Sequence, residues 1–328
     1  MKKIACVGYH FTGSGVIDDL LRECDNVSYG QYESECRILQ DPDGVSDLEF
    51  HLVECPNRLK TGIAIDRFLR YVKDEKRMNQ KVVGNDWMRI CEEYINSITK
   101  FEFIGYHNRQ LVARKPYIRY VILLNKVLNK LKPKRFRHPW WFNYFPKATE
   151  YHAYITESEF LEKTRIFIDN LCERFPQNEK TEYVVVDQMV APNYPERYLR
   201  YVNNLKIIVV DRDPRDLYIY TCNLGDHILP KEPHQFCVQY RDMRRSVGKI
   251  DPTKVMYVSF EDMIYKYDEM VNKVLDFIGI SPDHHLFPRT HFDPSKSIKG
   301  TKLWEKYPQY EDAVKIIEQE LPDFIYQY

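Results

Sequence analysis

Residues 4–19 place groups that can bind an anion at the junction of a strand and a helix. A short apolar strand at 4–7 leads into a loop with Gly8, Gly13 and Gly15, and an apolar-periodic helix follows. This order directs backbone N–H groups and the N-terminus of a helix towards one spot, where they attract negative charge. The segment therefore predicts a site for a phosphate-like group.

The residues around the glycines limit which class of phosphate-binding protein the segment can belong to. Gly8-x4-Gly13 matches the spacing of the nucleotide P-loop, but Ser14 and Gly15 stand where that motif has Lys and then Ser or Thr. The missing lysine argues against an ordinary kinase or nucleoside triphosphatase. Backbone amides do not depend on that side chain, so we still expect a phosphate-like ligand.

Polar residues also follow two of the later predicted strands. Strands are predicted at 183–187, 205–211 and 255–258, with Asp187 closing the first and Arg212 following the second. Their continuous Ile and Val runs alternate with helices, which indicates a parallel sheet covered on both faces. We expect an α/β, doubly wound fold. Residues 1–328 would form a single domain with a helical insertion at about 58–175.

Composition limits the class of protein. The 328 residues include 48 basic and 48 acidic side chains, so a protein that coats nucleic acid through its global charge is not expected. Eight cysteines without a C-x-x-C pair predict reduced thiols in a cytoplasmic protein. No apolar stretch reaches the roughly 20 residues of a membrane span, so we expect no integral membrane association. Histidines and acids lack ligand spacing, and no metal is expected.

A basic run at 126–138 is followed by an aromatic run at 139–145. Interleaved charge and aromatic rings are typical of surfaces that bind nucleic acid, an acidic glycan or a membrane. A solvated helix end with an aromatic cover for the core is the structural alternative. If the segment has a function, it would recognise an acceptor there, because its rings suit sugar faces and flat sterols equally.

Four blocks, read in order, carry a family resemblance. They are 9–16 (YHFTGSGV), 186–194 (VDQMVAPNY), 210–216 (VDRDPRD), and 257–263 (YVSFEDM) with the helix end 277–280 (FIGI). Together they resemble the sulfotransferases that use 3′-phosphoadenosine-5′-phosphosulfate (PAPS) and release 3′-phosphoadenosine-5′-phosphate (PAP). The resemblance implies a P-loop-like sulfotransferase fold and transfer of a sulfuryl group.

The resemblance also implies a donor site. Loop amides from Thr12 to Val16 would hold the 5′-phosphate, Arg212 the 3′-phosphate, and a basic segment at 297–302 would assist. The implied donor-binding residues are Phe11, Thr12, Gly13, Ser14, Gly15, Val16, Arg212, Tyr220, Ser297, Lys299 and Lys302.

A base must take the proton of the attacking acceptor. By resemblance Asp187 is the first candidate and Glu35 the second. The sequence departs from the family at four positions: Phe11 replaces a loop lysine, Val16 an aromatic residue that stacks on adenine, Gln188 a lysine and Tyr220 a serine. His10 or a later lysine would have to replace the loop lysine, or the transfer step would rely on backbone donors.

The acceptor and the reaction leave alternatives open. The Asp187 block favours a carbohydrate acceptor, and a sterol or other hydrophobic alcohol competes with it. The rival functions are a kinase-like phosphoryl transferase, which magnesium dependence would reveal, and a non-catalytic module that binds a nucleotide or glycan. Oligomeric state is left open.

Overall fold

A computed structural model describes residues 1–30, 35–105, 116–137, 147–225, 228–245 and 250–328. The aromatic run at 139–145 therefore lies outside the described residues. Within the described ranges there are seven strands, labelled β1 to β7 in chain order. They are Lys2–Gly8, Val27–Ser28, Phe101–Gly105, Ala148–His152, Tyr183–Asp187, Leu205–Asp211 and Val255–Ser259.

The helices of the same ranges are labelled α1 to α15. They are Gly15–Arg22, Val45–Glu49, Arg58–Asp74, Lys76–Val83, Trp87–Ile98, Ile118–Leu131, Glu157–Cys172, Pro195–Leu199, Pro214–Leu224, Pro233–Met243, Phe260–Tyr265, Tyr267–Ile278, Pro294–Ser297, Leu303–Lys306 and Glu311–Glu320. In these ranges, no helix combines the length and the apolar character required to cross a membrane.

Five parallel strands form the main sheet in the order β2-β5-β1-β6-β7. Ile4 and Cys6 of β1 pack with α1 and α12 on one face. Ala5 and Val7 point to the opposite face and are fully buried as well. The predicted α/β fold with a parallel sheet flanked by helices is confirmed.

The register brings three strand ends together. Cys6 of β1 lies beside Asp187 of β5, and Gly8 lies beside Val210 of β6. Because β1 is flanked by strands from later in the chain, its carboxyl end opens into a crevice where the connections diverge to opposite sides. Open α/β sheets bind their ligands at such a point. The loop after β1 and the residues that follow β5 and β6 therefore meet at one edge.

Helix termini follow local sequence signals. The Ser259 hydroxyl accepts from the Glu261 and Asp262 amides and caps α11. The spacing Thr156-x-x-Glu159 in the sequence predicts a capping box, and the structure contains it: the Glu159 carboxylate accepts from the Thr156 amide at 3.0 Å. Gly279 adopts the left-handed conformation that ends α12. These signals are local, which is why the sequence predicts them.

The chain divides into two compact units. One contains residues 1–41, 75–90 and 164–328, and the other contains 42–74 and 91–163. The main sheet belongs to the first unit, and the insertion at about 58–175 stays a prediction. In the second unit β3 pairs antiparallel with β4, a feature that the predicted helical middle region did not include. The two strands are far apart in sequence and largely exposed, so no local periodicity marks them.

Candidate functional site

A cavity of about 810 Å³ opens at the carboxyl ends of the parallel strands of the first unit. Much of its wall comes from the loop after β1, the turn after β5, Arg212 between β6 and α9, and Tyr220 within α9. A volume of this order suits a nucleotide-sized ligand. Its lining includes Tyr9, His10, Phe11, Thr12, Gly13, Ser14, Gly15, Glu35, Gln40, Asp187, Gln188, Arg212, Tyr220, Phe260 and Gly300.

The loop between β1 and α1 has an unusual backbone. His10, Phe11 and Gly13 have φ values of 61°, 50° and 88°, in the left-handed region. A Cβ atom at Gly13 would lie 2.5 Å from the Phe260 ring, so only glycine fits there. The loop is thereby held in a tight conformation against the start of α11.

Thr12 anchors this loop to the sheet. Its hydroxyl accepts from the Tyr9 amide at 3.0 Å and donates to the carbonyl of Val210 on β6 at 2.7 Å. The residue is buried. Both hydroxyl bonds are made inside the protein, so Thr12 offers a ligand its backbone amide.

The loop amides divide into two groups. The N–H groups of Val16 and Ile17 donate to the carbonyls of Gly13 and Ser14 at 3.1 and 3.0 Å. Within the described ranges, no acceptor is found for the amides of residues 12–15. Because residues 12–15 line the cavity, these four donors and the positive end of α1 are available to an anion.

Arg212 is a buried cation on the same cavity. Its Nη1 donates to the Phe11 carbonyl at 3.2 Å, and Nη2 donates to the Gly300 carbonyl. In the described part of the chain, no carboxylate is paired with this guanidinium, and its Nε is buried without an acceptor. Burial lowers the Arg212 pKa, although an arginine remains charged. The nearby charges of Asp216 and Glu261 partly offset this effect, but the hydrogen bonds of the buried guanidinium go to carbonyls, which leaves it suited to an anionic ligand.

Aromatic rings flank this guanidinium. The ring centroids of Tyr220 and Phe260 lie 4.9 and 5.0 Å from its Cζ atom. These contacts fix the plane of the guanidinium while its charge remains. Tyr220 therefore contacts Arg212 and lines the cavity, although the resemblance places a serine at its position.

The segment at 297–303 is tied to the start of α9. The buried Asp216 carboxylate accepts from the amides of Lys302 and Leu303 at 3.0 and 2.6 Å. Burial raises the Asp216 pKa to about 6. This contact places the Gly300 carbonyl against Arg212, whereas the side chains of Ser297, Lys299 and Lys302 do not reach the cavity wall.

Asp187 occupies the opposite side of the cavity. Burial, followed by the nearby charges of Asp18 and Glu35, raises its pKa to about 7. Its Oδ1 is buried and finds no donor within the described ranges. A carboxyl that titrates near neutral pH and faces a cavity has the properties of a general base.

Glu35 has a different environment. Its carboxylate lies 3.5 Å from Arg37 Nη1, and its side chain is 49% exposed. A second cavity of about 380 Å³ shares Gly15, Glu35 and Asp187 with the first. Asp187 thus faces both cavities in a more buried environment than Glu35.

Hydrogen bonds from two glutamine side chains link the Asp187 side of the cavity to the loop after β1. Gln188 Nε2 donates to the Ser14 hydroxyl at 2.8 Å, and Gln40 Nε2 donates to the Gln188 carbonyl at 2.5 Å. Ser14 receives a hydrogen bond from Gln188, so its own hydroxyl hydrogen is available to a ligand. Gln188 itself adopts a left-handed φ of 52°.

The structure brings most of the predicted residues to one cavity: His10, Phe11, Thr12, Gly13, Ser14, Gly15, Glu35, Asp187, Arg212 and Tyr220. Val16 is buried in the core and does not line it. The sequence predictions did not assign roles to Gln40, Phe260 or Gly300. Phe260 and Gly300 lie within blocks that the sequence had singled out, which was the available signal. Among the described residues, no His, Cys, Asp and Glu group has the geometry of a metal site.

No protein-family model and no curated protein matches the sequence. Solved structures match nearly the full chain. The sulfotransferase domain from the curacin biosynthetic pathway is 11% identical, with 97% of this chain and 96% of that chain covered and a TM-score of 0.41. The sulfotransferase domain of the Synechococcus PCC 7002 olefin synthase is 11% identical, with 97% and 93% covered and a TM-score of 0.40.

Retinol dehydratase, solved with androsterone and the inactive cofactor PAP, is 12% identical, with 100% of this chain and 83% of that chain covered and a TM-score of 0.35. The two domains named above are sulfotransferases, the family that the four sequence blocks resemble. Because these identities and scores are low, we base the assignment of function on the site itself.

Proposed function

We propose that this protein is a sulfotransferase that moves a sulfuryl group from PAPS to an acceptor hydroxyl. One observation carries the proposal: four loop amides that have no acceptor among the described residues line the same cavity as the buried cation of Arg212. These donors come from separate elements, so they suit a ligand with two anionic groups. PAPS carries a 3′-phosphate and a 5′-phosphosulfate on one adenosine.

Each end of the donor has its own partners. The amides of residues 12–15 and the Ser14 hydroxyl bind the 5′-phosphate, supported by the positive end of α1. Arg212 donates hydrogen bonds to the Phe11 and Gly300 carbonyls, and the remaining N–H groups of its guanidinium bind the 3′-phosphate. The backbone fixes the positions of the loop amides, so their dipoles do not need to reorient when the 5′-phosphate binds.

The bound donor supplies an activated sulfuryl group. The acceptor oxygen forms a bond to sulfur while the bond from sulfur to the 5′-phosphate oxygen breaks, and PAP leaves. Asp187 takes the proton of the acceptor hydroxyl, as its pKa of about 7 permits at neutral pH. The loop amides stabilise the negative charge that grows on the leaving phosphate.

The second cavity supports a polar acceptor. Asp18, Asp19 and Arg22 line it, and the Asp18 carboxylate pairs with Arg22 at 2.8 Å. Polar side chains of this kind hydrogen-bond to the hydroxyl groups of sugars, whereas a sterol requires an apolar wall. We therefore favour a carbohydrate acceptor that reaches Asp187 from this side.

Calorimetry with PAP, adenosine 5′-monophosphate and ATP with magnesium tests the donor site. PAP should bind most tightly, because only PAP engages both the loop and Arg212. Transfer of labelled sulfate from PAPS to a panel of glycans and sterols then tests the reaction. Tighter binding of ATP with magnesium would support the kinase-like alternative. Tight PAP binding with no transfer to any acceptor would support the non-catalytic module.

A further inference from the structure

Helix α6 in the second unit carries an exposed apolar stripe. Tyr120, Leu123, Leu124, Val127 and Leu131 are 76%, 59%, 49%, 48% and 75% exposed. Their spacing of three and four residues places them on one side of the helix. The helix is anchored by its opposite side, where its buried residues, Ile118 and Asn125, lie.

The same segment is strongly basic. Residues 116–137 contain seven Lys and Arg residues and no Asp or Glu, although the whole chain has 48 of each charge. Arg119, Lys126 and Lys130 are exposed along one flank of the apolar stripe. More positive charge follows the helix, at Lys132, Lys134, Arg135 and Arg137. None of the seven forms an ion pair with an acid of the described residues.

The positive charge and the apolar side chains of this surface together indicate which kind of partner binds to it. A second copy of this chain would bring seven further positive charges to the same surface, which repel. A nucleic acid would satisfy the charges but leave the Leu and Val side chains without an apolar partner. The surface of an anionic bilayer supplies both negative headgroups and apolar depth.

We propose that α6 and residues 132–137 dock peripherally on an anionic lipid bilayer. The helix has 14 residues and spans roughly 21 Å, so it lies in the plane of the interface and does not cross the hydrocarbon. Its apolar stripe enters the boundary between headgroups and acyl chains, and its basic flank contacts anionic headgroups. Exposed Tyr117 immediately precedes the helix and exposed Phe136 lies in the segment that follows it, and aromatic rings suit the interface.

Co-sedimentation of the full chain with vesicles tests this proposal. Binding should be strong to phosphatidylcholine vesicles that contain phosphatidylserine, weak to phosphatidylcholine alone, and reduced by salt. The double variant Lys126→Gln/Lys130→Gln should bind anionic vesicles about 25-fold more weakly, at roughly fivefold for each lysine. Leu123→Ser should weaken binding by about tenfold, since apolar burial is lost.

Matched controls come from the first unit. Val238→Ser on α10 changes a side chain that is 52% exposed, and Lys273→Gln/Lys315→Gln removes two exposed helical lysines. Both controls should bind vesicles like the unaltered protein, and thermal unfolding should show that all variants are folded. Equal binding to neutral vesicles, no vesicle binding, or controls as weak as the α6 variants would overturn the proposal. So would self-association that Leu123→Ser abolishes, or RNA binding that the lysine variant loses without any vesicle binding.

Discussion

The two sides of the large cavity differ in how their charges are held. On one side the loop amides and Arg212 are fixed by buried contacts, including the Thr12 bond to Val210 and the carbonyls on Arg212. On the other side Asp187 has a buried oxygen without a donor in the described part of the chain. One side is built for a permanent charge, and the other is built for a charge that changes.

Burial produces both properties. It disfavours the charged form of each group, so it lowers the Arg212 pKa and raises the Asp187 pKa. The ordinary pKa of arginine is so high that Arg212 stays a cation. The ordinary pKa of aspartate is low, and a rise to about 7 lets Asp187 exchange a proton at neutral pH. The same physical effect therefore gives a binding group on one side and a proton acceptor on the other.

The largest effect is expected from a substitution that removes only the carboxylate on the Asp187 side of the cavity. Asp187→Asn should lower kcat by about 10²- to 10⁴-fold, because the acceptor proton loses its base, while PAP affinity is retained. In the unaltered protein kcat/KM should rise with pH through about 7 as Asp187 loses its proton. Steady-state kinetics across pH and PAP calorimetry provide the measurements.

Two controls make this result specific. Glu35→Gln, at an exposed carboxyl on the same cavity, should keep most of the activity. The pKa of Asp187 is higher in the folded chain than in the unfolded one, so its favourable contribution to stability is lost as pH rises through about 7. Asp187→Asn should therefore unfold at the same or a higher temperature at pH 8. Full activity of Asp187→Asn together with an inactive Glu35→Gln would reverse the assignment of the base.

The next largest effect is expected from a substitution that removes the cation, Arg212, on the other side of the cavity. Arg212→Ala should weaken PAP binding by about 10- to 150-fold, because a charge-assisted contact is worth roughly 1.5–3 kcal/mol. Adenosine 5′-monophosphate has no 3′-phosphate, so its affinity should change little. Equal losses for both nucleotides in calorimetry would mean that Arg212 acts through the loop carbonyl of Phe11 and not on the 3′-phosphate.

The smallest expected effect concerns the hydrogen bond from Gln188 to Ser14, which links the two sides of the cavity. Gln188→Ala removes the 2.8 Å hydrogen bond to Ser14 and should weaken PAP binding by about two- to tenfold, the range for one neutral hydrogen bond. Ser14→Ala should cost a similar amount, and the double variant should be less damaging than the sum of the two. Strict additivity of the two losses would show that Gln188 does not act through Ser14.

Local signals explain what the sequence predicts well. The strands at 183–187 and 205–211 are continuous apolar runs, and the structure confirms both boundaries. The caps at Thr156 and Ser259 depend on neighbouring residues, and both are present. The β3–β4 pair depends on contacts between distant and exposed segments, so neither periodicity nor a turn signal revealed it.

The sequence by itself determined a parallel sheet and a glycine loop whose amides attract an anion, because apolar runs and glycines act on their own neighbourhood. Only the tertiary structure decided which charges matter. Arg212 is held by carbonyls that lie 201 and 88 residues away along the chain, and no local pattern encodes those partners. The raised pKa of Asp187 likewise comes from burial and from acids on other segments. Partners and burial are properties of the folded chain, so the chemistry of these two residues emerges only there.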